Sequence, residues 1–158
     1  MLSIIGIHGP AWLVEEGTVK PALIGMLVWQ GVGAQMVLYL AGLQNIPEVY
    51  YEAASVDGAN AFHKFRHITV PLITPISFYI MITLLIGGFQ IYVPMAIMTP
   101  NGGTNYSSAS IVMYLFNKGF GNGQMGYGSA VAWFLAVFIF IVTFIQFKFS
   151  NKWVETIN

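Results

Sequence analysis

Glu52 and Asp57 are the carboxylates that could serve as an acid and base pair. They stand five residues apart, which does not align them on one helix face, and no nucleophile or cofactor motif accompanies them. Taken alone, they read as a solvated face. His63 and His67 have the four-residue spacing that can place two imidazoles on one metal, but Lys64 stands where a zinc protease carries Glu and no third ligand is evident. Beside Lys64 and Arg66, the histidines are better suited to lipid phosphates or a partner. Gly121, Gly123 and Gly126 match the letters of the dinucleotide fingerprint, yet no strand is expected before them and no acid follows at the required distance. No GxxxxGK[ST] stretch occurs, so the chain has no phosphate loop for ATP.

A second group of chemically capable residues lies inside apolar runs: Gln30, Gln35, Gln90 and Tyr92, with Trp29 as a stacking surface and Gly87 and Gly88 as a weak point in a helix. Amides and phenols exchange hydrogen bonds with hydroxyl groups, and an aromatic face packs against the C–H surface of a sugar ring. Such a set can line a solute path. The same side chains can instead bond one helix to another.

The elements that carry these residues are those of a membrane protein. Hydrophobic residues make up 56% of the 158 and charged residues 8%, against about a quarter charged in soluble domains. The net charge is zero, so nothing suggests nucleic acid. The absence of cysteine excludes disulfides, thiolate metal sites and a cysteine nucleophile. Residues 1–20 mix apolar residues with Gly9, Pro10, Glu15, Glu16 and Lys20, which suits a surface segment and makes a poor signal peptide. The start reads as internal.

Three spans are expected, at about 21–43, 72–98 and 129–147. The first has no charged residue and as a helix reaches about 34 Å, enough for a hydrocarbon core of about 30 Å. In the second, Gly87, Gly88, Gln90 and Pro94 predict a weakened or broken helix at mid-depth. A turn-rich stretch from Thr99 to Asn105, a short helix over 109–116 and a glycine-rich loop over 119–128 come before the third span. There Gly128, Ala132 and Ala136 put small residues on one face, open to a neighbouring helix.

Between the first two spans lies a polar island over about 45–71, which holds five of the twelve charged side chains: Glu48, Glu52, Asp57, Lys64 and Arg66. It predicts two short helices and a hinge. Asn45 is expected to cap the first, with Pro47 in its first turn. Gly58 should end it in the left-handed conformation, residues 59–68 should resume helical spacing, and Pro71 should stop that helix or start the next. Four cations, Lys64, Arg66, Lys148 and Lys152, share the side of this island against Lys20 and Lys118 on the other, so the island and the C-terminus are expected to be cytoplasmic and the N-terminus external.

The spacing Glu52-Ala53-Ala54, two residues, Asp57-Gly58-Ala59, five residues, Phe65, two residues, Ile68, one residue, Val70-Pro71 resembles the EAA loop of binding-protein-dependent ABC importer permeases, nearest to those for sugars and related solutes. Val70 stands where that family usually has Leu. The likeness extends through residues 38–43, 99–103, 125–127 and 146–148. It implies an all-α integral membrane chain, a single partial permease domain over 1–158 corresponding to the C-terminal half of such a permease: three transmembrane helices with a cytoplasmic two-helix coupling loop.

The resemblance further implies that Glu52, Ala53, Ala54, Asp57, Gly58, Ala59, Phe65, Ile68 and Pro71 dock a cytoplasmic ABC ATPase dimer. A second permease subunit would complete the pathway and an external solute-binding protein would deliver the solute. The chain would sit in membrane lipid, bind no cofactor and do no chemistry, ATP being held by the ATPase. A membrane adaptor that recruits a cytoplasmic protein, and a membrane enzyme using Glu52, Asp57 and the histidines, are the rival readings.

Overall fold

The computed structural model describes residues 11–154, with side chains from 11 to 150. Residues 1–10, on which the signal-peptide reading rests, and the Lys152 side chain lie outside that description. All regular structure among the described residues is helical. The elements are α1 (Glu16–Gln44), α2 (Glu48–Val56), α3 (Ala61–Lys64), a π turn (Phe65–Thr69), α4 (Val70–Phe89), α5 (Val93–Met98), α6 (Ile111–Phe116), a second π turn (Asn117–Gly121) and α7 (Met125–Val154), with two 3₁₀ turns between α5 and α6. Three stretches are long and apolar enough to cross a membrane: Glu16–Gln44, Ala61–Phe89 and Met125–Ser150.

The spans differ from the expected bounds for local reasons. The first begins at Glu16, and Pro21 lies inside α1, where it forgoes the bond to the Gly17 carbonyl without ending the helix. The second begins at Ala61, since Pro71 neither stops nor starts a helix. Proline removes one N–H and crowds the carbonyl four residues back, and the π turn just before it absorbs the misfit by shifting the register: the Val70 N–H bonds the Phe65 carbonyl, five residues back. The helix therefore ends earlier. Val70–Phe89 alone rises about 30 Å, a full hydrocarbon thickness, and the break at Gln90–Tyr92 falls at the end of the span instead of its middle. The α5 helix is a separate short piece.

The third span begins at Met125, not Ser129, and the 119–128 loop shrinks to residues 122–124. Gly119 is buried within the second π turn, and α7 starts because the Gln124 carbonyl accepts the Gly128 N–H at 3.0 Å.

The chain forms two compact units. The first contains residues 11–30 and 86–140. Its core is Val19, Leu23, Met113, Leu135 and Ile139, with Thr99 and Ser108 also buried. Phe89 meets Phe138 edge to face at 5.2 Å. A methyl group on Gly128 would lie 2.9 Å from the Gly119 Cα, so only glycine permits that approach. Ala132 and Ala136, the rest of the small-residue stripe, are exposed. Thr104 donates to the Val14 carbonyl at 2.7 Å and the Asn105 amide donates to the Glu16 carboxylate, which tie the turn-rich stretch to the start of α1.

The second unit contains residues 31–85 and 141–154. Ile46, Ile80 and Ile82 are its buried aliphatics. Gly42 faces Ile76 closely enough that a methyl group there would lie 2.1 Å from its Cδ1. Phe78 and Phe147 pack edge to face at 5.4 Å. Large apolar side chains such as Trp29, Trp133, Phe134 and Phe144 remain exposed along the spans, as lipid or a further subunit would require.

Candidate functional site

In the second unit, the 45–71 segment forms one short helix, α2, and the first turns of the continuous Ala61–Phe89 helix in place of a second short helix, held together by specific bonds. Asn45 is not the cap of α2. Its N–H bonds the carbonyls of Ala41 and Gly42, which makes it the last turn of α1, and the capping position falls to extended Pro47 with no side-chain bond. The helix ends in a Schellman motif: Asp57 closes it, Gly58 follows at φ +77°, the Gly58 N–H bonds the Ser55 carbonyl at 3.1 Å, and the Ala59 N–H bonds the Ala54 carbonyl at 2.9 Å. Asn60 then caps α3, its side chain accepting the His63 N–H at 2.8 Å.

Two further contacts fix the pair of helices. The Tyr51 hydroxyl shares a hydrogen bond with the Thr69 hydroxyl at 2.8 Å, and Lys64 donates to the Ser55 hydroxyl at 2.6 Å, while Ser55 itself donates to the Tyr51 carbonyl at 2.7 Å. Neither pair was singled out from sequence. Eighteen residues separate Tyr51 from Thr69, so no local spacing announces the contact. Helical spacing is expected from residue 59, but Ala59 and Asn60 lie outside the helix and Asn60 caps it; an Asn ahead of a helical run is the N-cap signal that marks this.

A cavity of about 430 Å³ opens between these helices. Of the expected docking residues, Ala54, Asp57, Gly58, Ala59 and Ile68 line it, joined by His63, Lys64 and His67. Glu52, Ala53 and Phe65 are exposed outside it, and Pro71 is half-buried in the first turn of α4. The two imidazoles stack with ring centroids 4.0 Å apart, and the His67 Nδ1 lies 3.1 Å from the His63 carbonyl oxygen, an arrangement of rings on each other and not on a shared metal. No cluster of three or more metal-ligating side chains occurs among the described residues.

No residue of α2, α3 or the π turn is buried, although the segment exposes Val49, Tyr50, Val56, Phe62 and Phe65. Val56 is 89% exposed. Large apolar side chains left exposed together mark a surface for something else.

The residues expected along a solute path are dispersed. Trp29 and Gln30 are exposed in the first unit. Gly88 lines a cavity of about 360 Å³ with Lys20, Leu23 and Leu27, whereas Gly87 is exposed with open space beside it. Gln90 is exposed in the break, its N–H bonded to the carbonyls of Ile86 and Gly87, and the Tyr92 ring lies 5.0 Å from Phe116. In the second unit, the Gln35 side-chain oxygen is buried without a partner among the described residues. Gly121, Gly123 and Gly126 run from a π turn into α7, with no strand before them.

The sequence matches the family described as binding-protein-dependent transport system inner membrane component over residues 1–155. The chain belongs to this family. It is 44% identical over 157 residues to the probable ABC transporter permease protein YesP of Bacillus subtilis, covering 98% of this chain and 50% of that protein. It is 33% identical to the arabinooligosaccharides transport system permease protein AraP of the same organism (94% and 47% covered) and 35% identical to the multiple sugar-binding transport system permease protein MsmF of Streptococcus mutans (86% and 48%). The chain thus spans about half the length of the curated relatives it matches. A crystal structure of a bacterial ABC transporter involved in the import of the acidic polysaccharide alginate shares the fold, with a TM-score of 0.83 and 24% identity over 96% of this chain and 53% of that one. Membership of this inner-membrane family, with three apolar helices of spanning length, makes the chain a multi-pass membrane protein.

Proposed function

We propose that the chain is a permease subunit of an ATP-driven importer for a sugar-type solute, and that residues 45–71 are where ATPase movement enters the membrane helices. The observation that carries this reading is the short α2 helix joined through Gly58 to the start of the long Ala61–Phe89 helix, with Val49, Tyr50, Val56, Phe62 and Phe65 exposed along them. Family membership and the names of the relatives supply the direction: those proteins are transport permeases, two of them for sugars.

In this scheme, Glu52 and Asp57 flank an apolar surface that rests in a groove of the cytoplasmic ATPase. Binding of ATP there closes the ATPase dimer. The motion passes through the Tyr51 to Thr69 bond and the unbroken helix from Ala61 to Phe89, so that the spans rock between outward and inward states. The chain itself does no chemistry and binds no nucleotide. A second permease subunit completes the path, and an external binding protein delivers solute. Within the path, Gln35 is the strongest of the sequence candidates, because a buried amide oxygen without a partner needs a donor from solute or from another subunit.

The orientation follows from the cations, four on the side of residues 45–71 and two on the other. It is tested with single cysteines in a chain that has none, at Ser55 and at Asn105. In membranes stripped of the ATPase, a membrane-impermeant maleimide should reach Ser55→Cys only from the cytoplasm and Asn105→Cys only from outside. Reversed labelling would overturn the coupling scheme. Copurification with a non-ATPase protein would point to an adaptor, and turnover by the isolated chain to an enzyme.

A further inference from the structure

The largest cavity described in the first unit, about 610 Å³, lies apart from every residue discussed above as a solute contact. It falls in the connection between the second and third spans and is lined by Asn101, Asn117, Asn122, Tyr106, Tyr114 and Lys118. Its volume is in the range of small-molecule sites, with room for roughly one or two sugar rings. We propose that it is a carbohydrate subsite, which holds an end of an oligosaccharide outside the membrane before the chain of sugars enters the transmembrane path. This rests on the importer reading above for the solute class and for which side is external.

Three observations point to this ligand. Asn101, Asn117 and Asn122 all line the cavity, Asn101 and Asn122 exposed and Asn117 half-buried, so three amides that both donate and accept border one solvent-accessible space. Hydroxyl groups that alternate donor and acceptor are what such a set binds.

Tyr106 is the second observation. It sits at φ +56°, a region that bulky residues rarely occupy, and its side chain is 71% exposed. The fold therefore gains little burial from a ring held on an unfavourable backbone, which is the pattern of a residue kept for contact. The third is Tyr114, whose ring is fixed from two directions: its hydroxyl meets the Tyr127 hydroxyl at 3.3 Å and the Lys118 ammonium lies 5.8 Å from its centroid. Two aromatic faces and three amides fit a pyranose or furanose ring. No carboxylate lines the cavity and Lys118 does, so neutral and acidic sugars fit and cationic ones do not. The 360 Å³ cavity of the same unit, walled mainly by aliphatic side chains, lacks this chemistry.

The test uses the assembled transporter in lipid nanodiscs without its binding protein. Arabinotriose, raffinose, maltotriose and trigalacturonate are the probes, read by saturation-transfer NMR, with uptake of the same sugars measured in proteoliposomes to which the binding protein is added. At least one probe should bind. Asn117→Ala with Asn122→Ala should weaken that binding about tenfold or more, the scale of one or two lost hydrogen bonds. Tyr106→Gly is the control for folding, because glycine relaxes the positive φ while removing the ring: it should keep abundance and still lose affinity. Tyr114→Phe should be mild. If a probe is transported but its binding is indifferent to these variants, the subsite is wrong and the importer stands. If a probe is transported but does not bind without the binding protein, the subsite proposal falls; if none is transported and ATP hydrolysis is unresponsive to the loaded binding protein, the importer reading falls with it. If the variants lose only docking of the binding protein, the face is a protein interface and the subsite proposal falls.

Discussion

Replacing Gly58 by Val isolates the hinge of the 45–71 segment. At φ +77° the position is open to glycine and costly for other residues, by about 1 to 2 kcal/mol for a side chain forced into the left-handed region, and a β-branched one lies at the upper end. The space around it is empty: no atom lies within 4 Å of where a Cβ would be built. The cost is therefore conformational and not a clash. The alternative is for the backbone to leave that conformation and give up the bonds from Gly58 to Ser55 and from Ala59 to Ala54, each worth about 0.5 to 1.5 kcal/mol.

The strained route takes about 1 to 2 kcal/mol from the arrangement that sets α2 beside α3, a factor of about 5 to 30 in its population, and the released route, with two bonds lost, about 1 to 3 kcal/mol. Gly58→Val should leave insertion and abundance near normal, because the lesion is outside the spans, and should lower ATPase copurification and solute-stimulated ATP hydrolysis by a comparable factor. Gly58→Asn should be milder, since Asn tolerates the left-handed region. Wild-type association and hydrolysis in Gly58→Val would refute the reasoning. Equal defects in both variants would locate the effect in crowding against the partner, the free chain having room for either side chain.

Two other perturbations follow from packing. Gly128→Ala should lower stability in detergent by up to about 2 kcal/mol, because the new methyl meets the backbone of Gly119 and Leu115, an overpacking cost of about 1 to 3 kcal/mol against a gain of about 1 kcal/mol in helix propensity. Gly42→Ala should be near neutral, its methyl meeting only the tip of Ile76, which can turn; equal losses at both positions would contradict the close approach of Gly119 and Gly128. Gln35→Leu removes a buried unpaired oxygen, so abundance should hold or rise while solute uptake falls about tenfold, and unchanged uptake would remove Gln35 from the path.

The sequence carried the spans and the hinge well and the joints poorly, for physical reasons that particular residues show. Charge-free runs and Gly58 are local signals. Pro71 reads as a boundary in sequence, but its misfit is absorbed by a π turn that no residue pattern marks, so the helix starts earlier and Gln90 falls at its end instead of at mid-depth. Gly126 and Gly128 looked like loop residues, yet they lie in α7, and Gly128 is glycine for the sake of a contact with Gly119 nine residues earlier. The bonds that organise the proposed docking surface, Tyr51 to Thr69 and Lys64 to Ser55, join positions whose proximity exists only once Gly58 has turned the chain.

The surface at Val56 offers the most direct test of ATPase docking. The chain has no cysteine and Val56 is 89% exposed, so Val56→Cys provides a single unhindered thiol. In the assembled transporter, with a short bifunctional crosslinker added to inside-out vesicles, Val56→Cys should join to the ATPase subunit, and more efficiently in one nucleotide state than in the other. A complex that copurifies intact while Val56→Cys crosslinks only to other membrane subunits, or reacts only from the outside, would contradict the proposal.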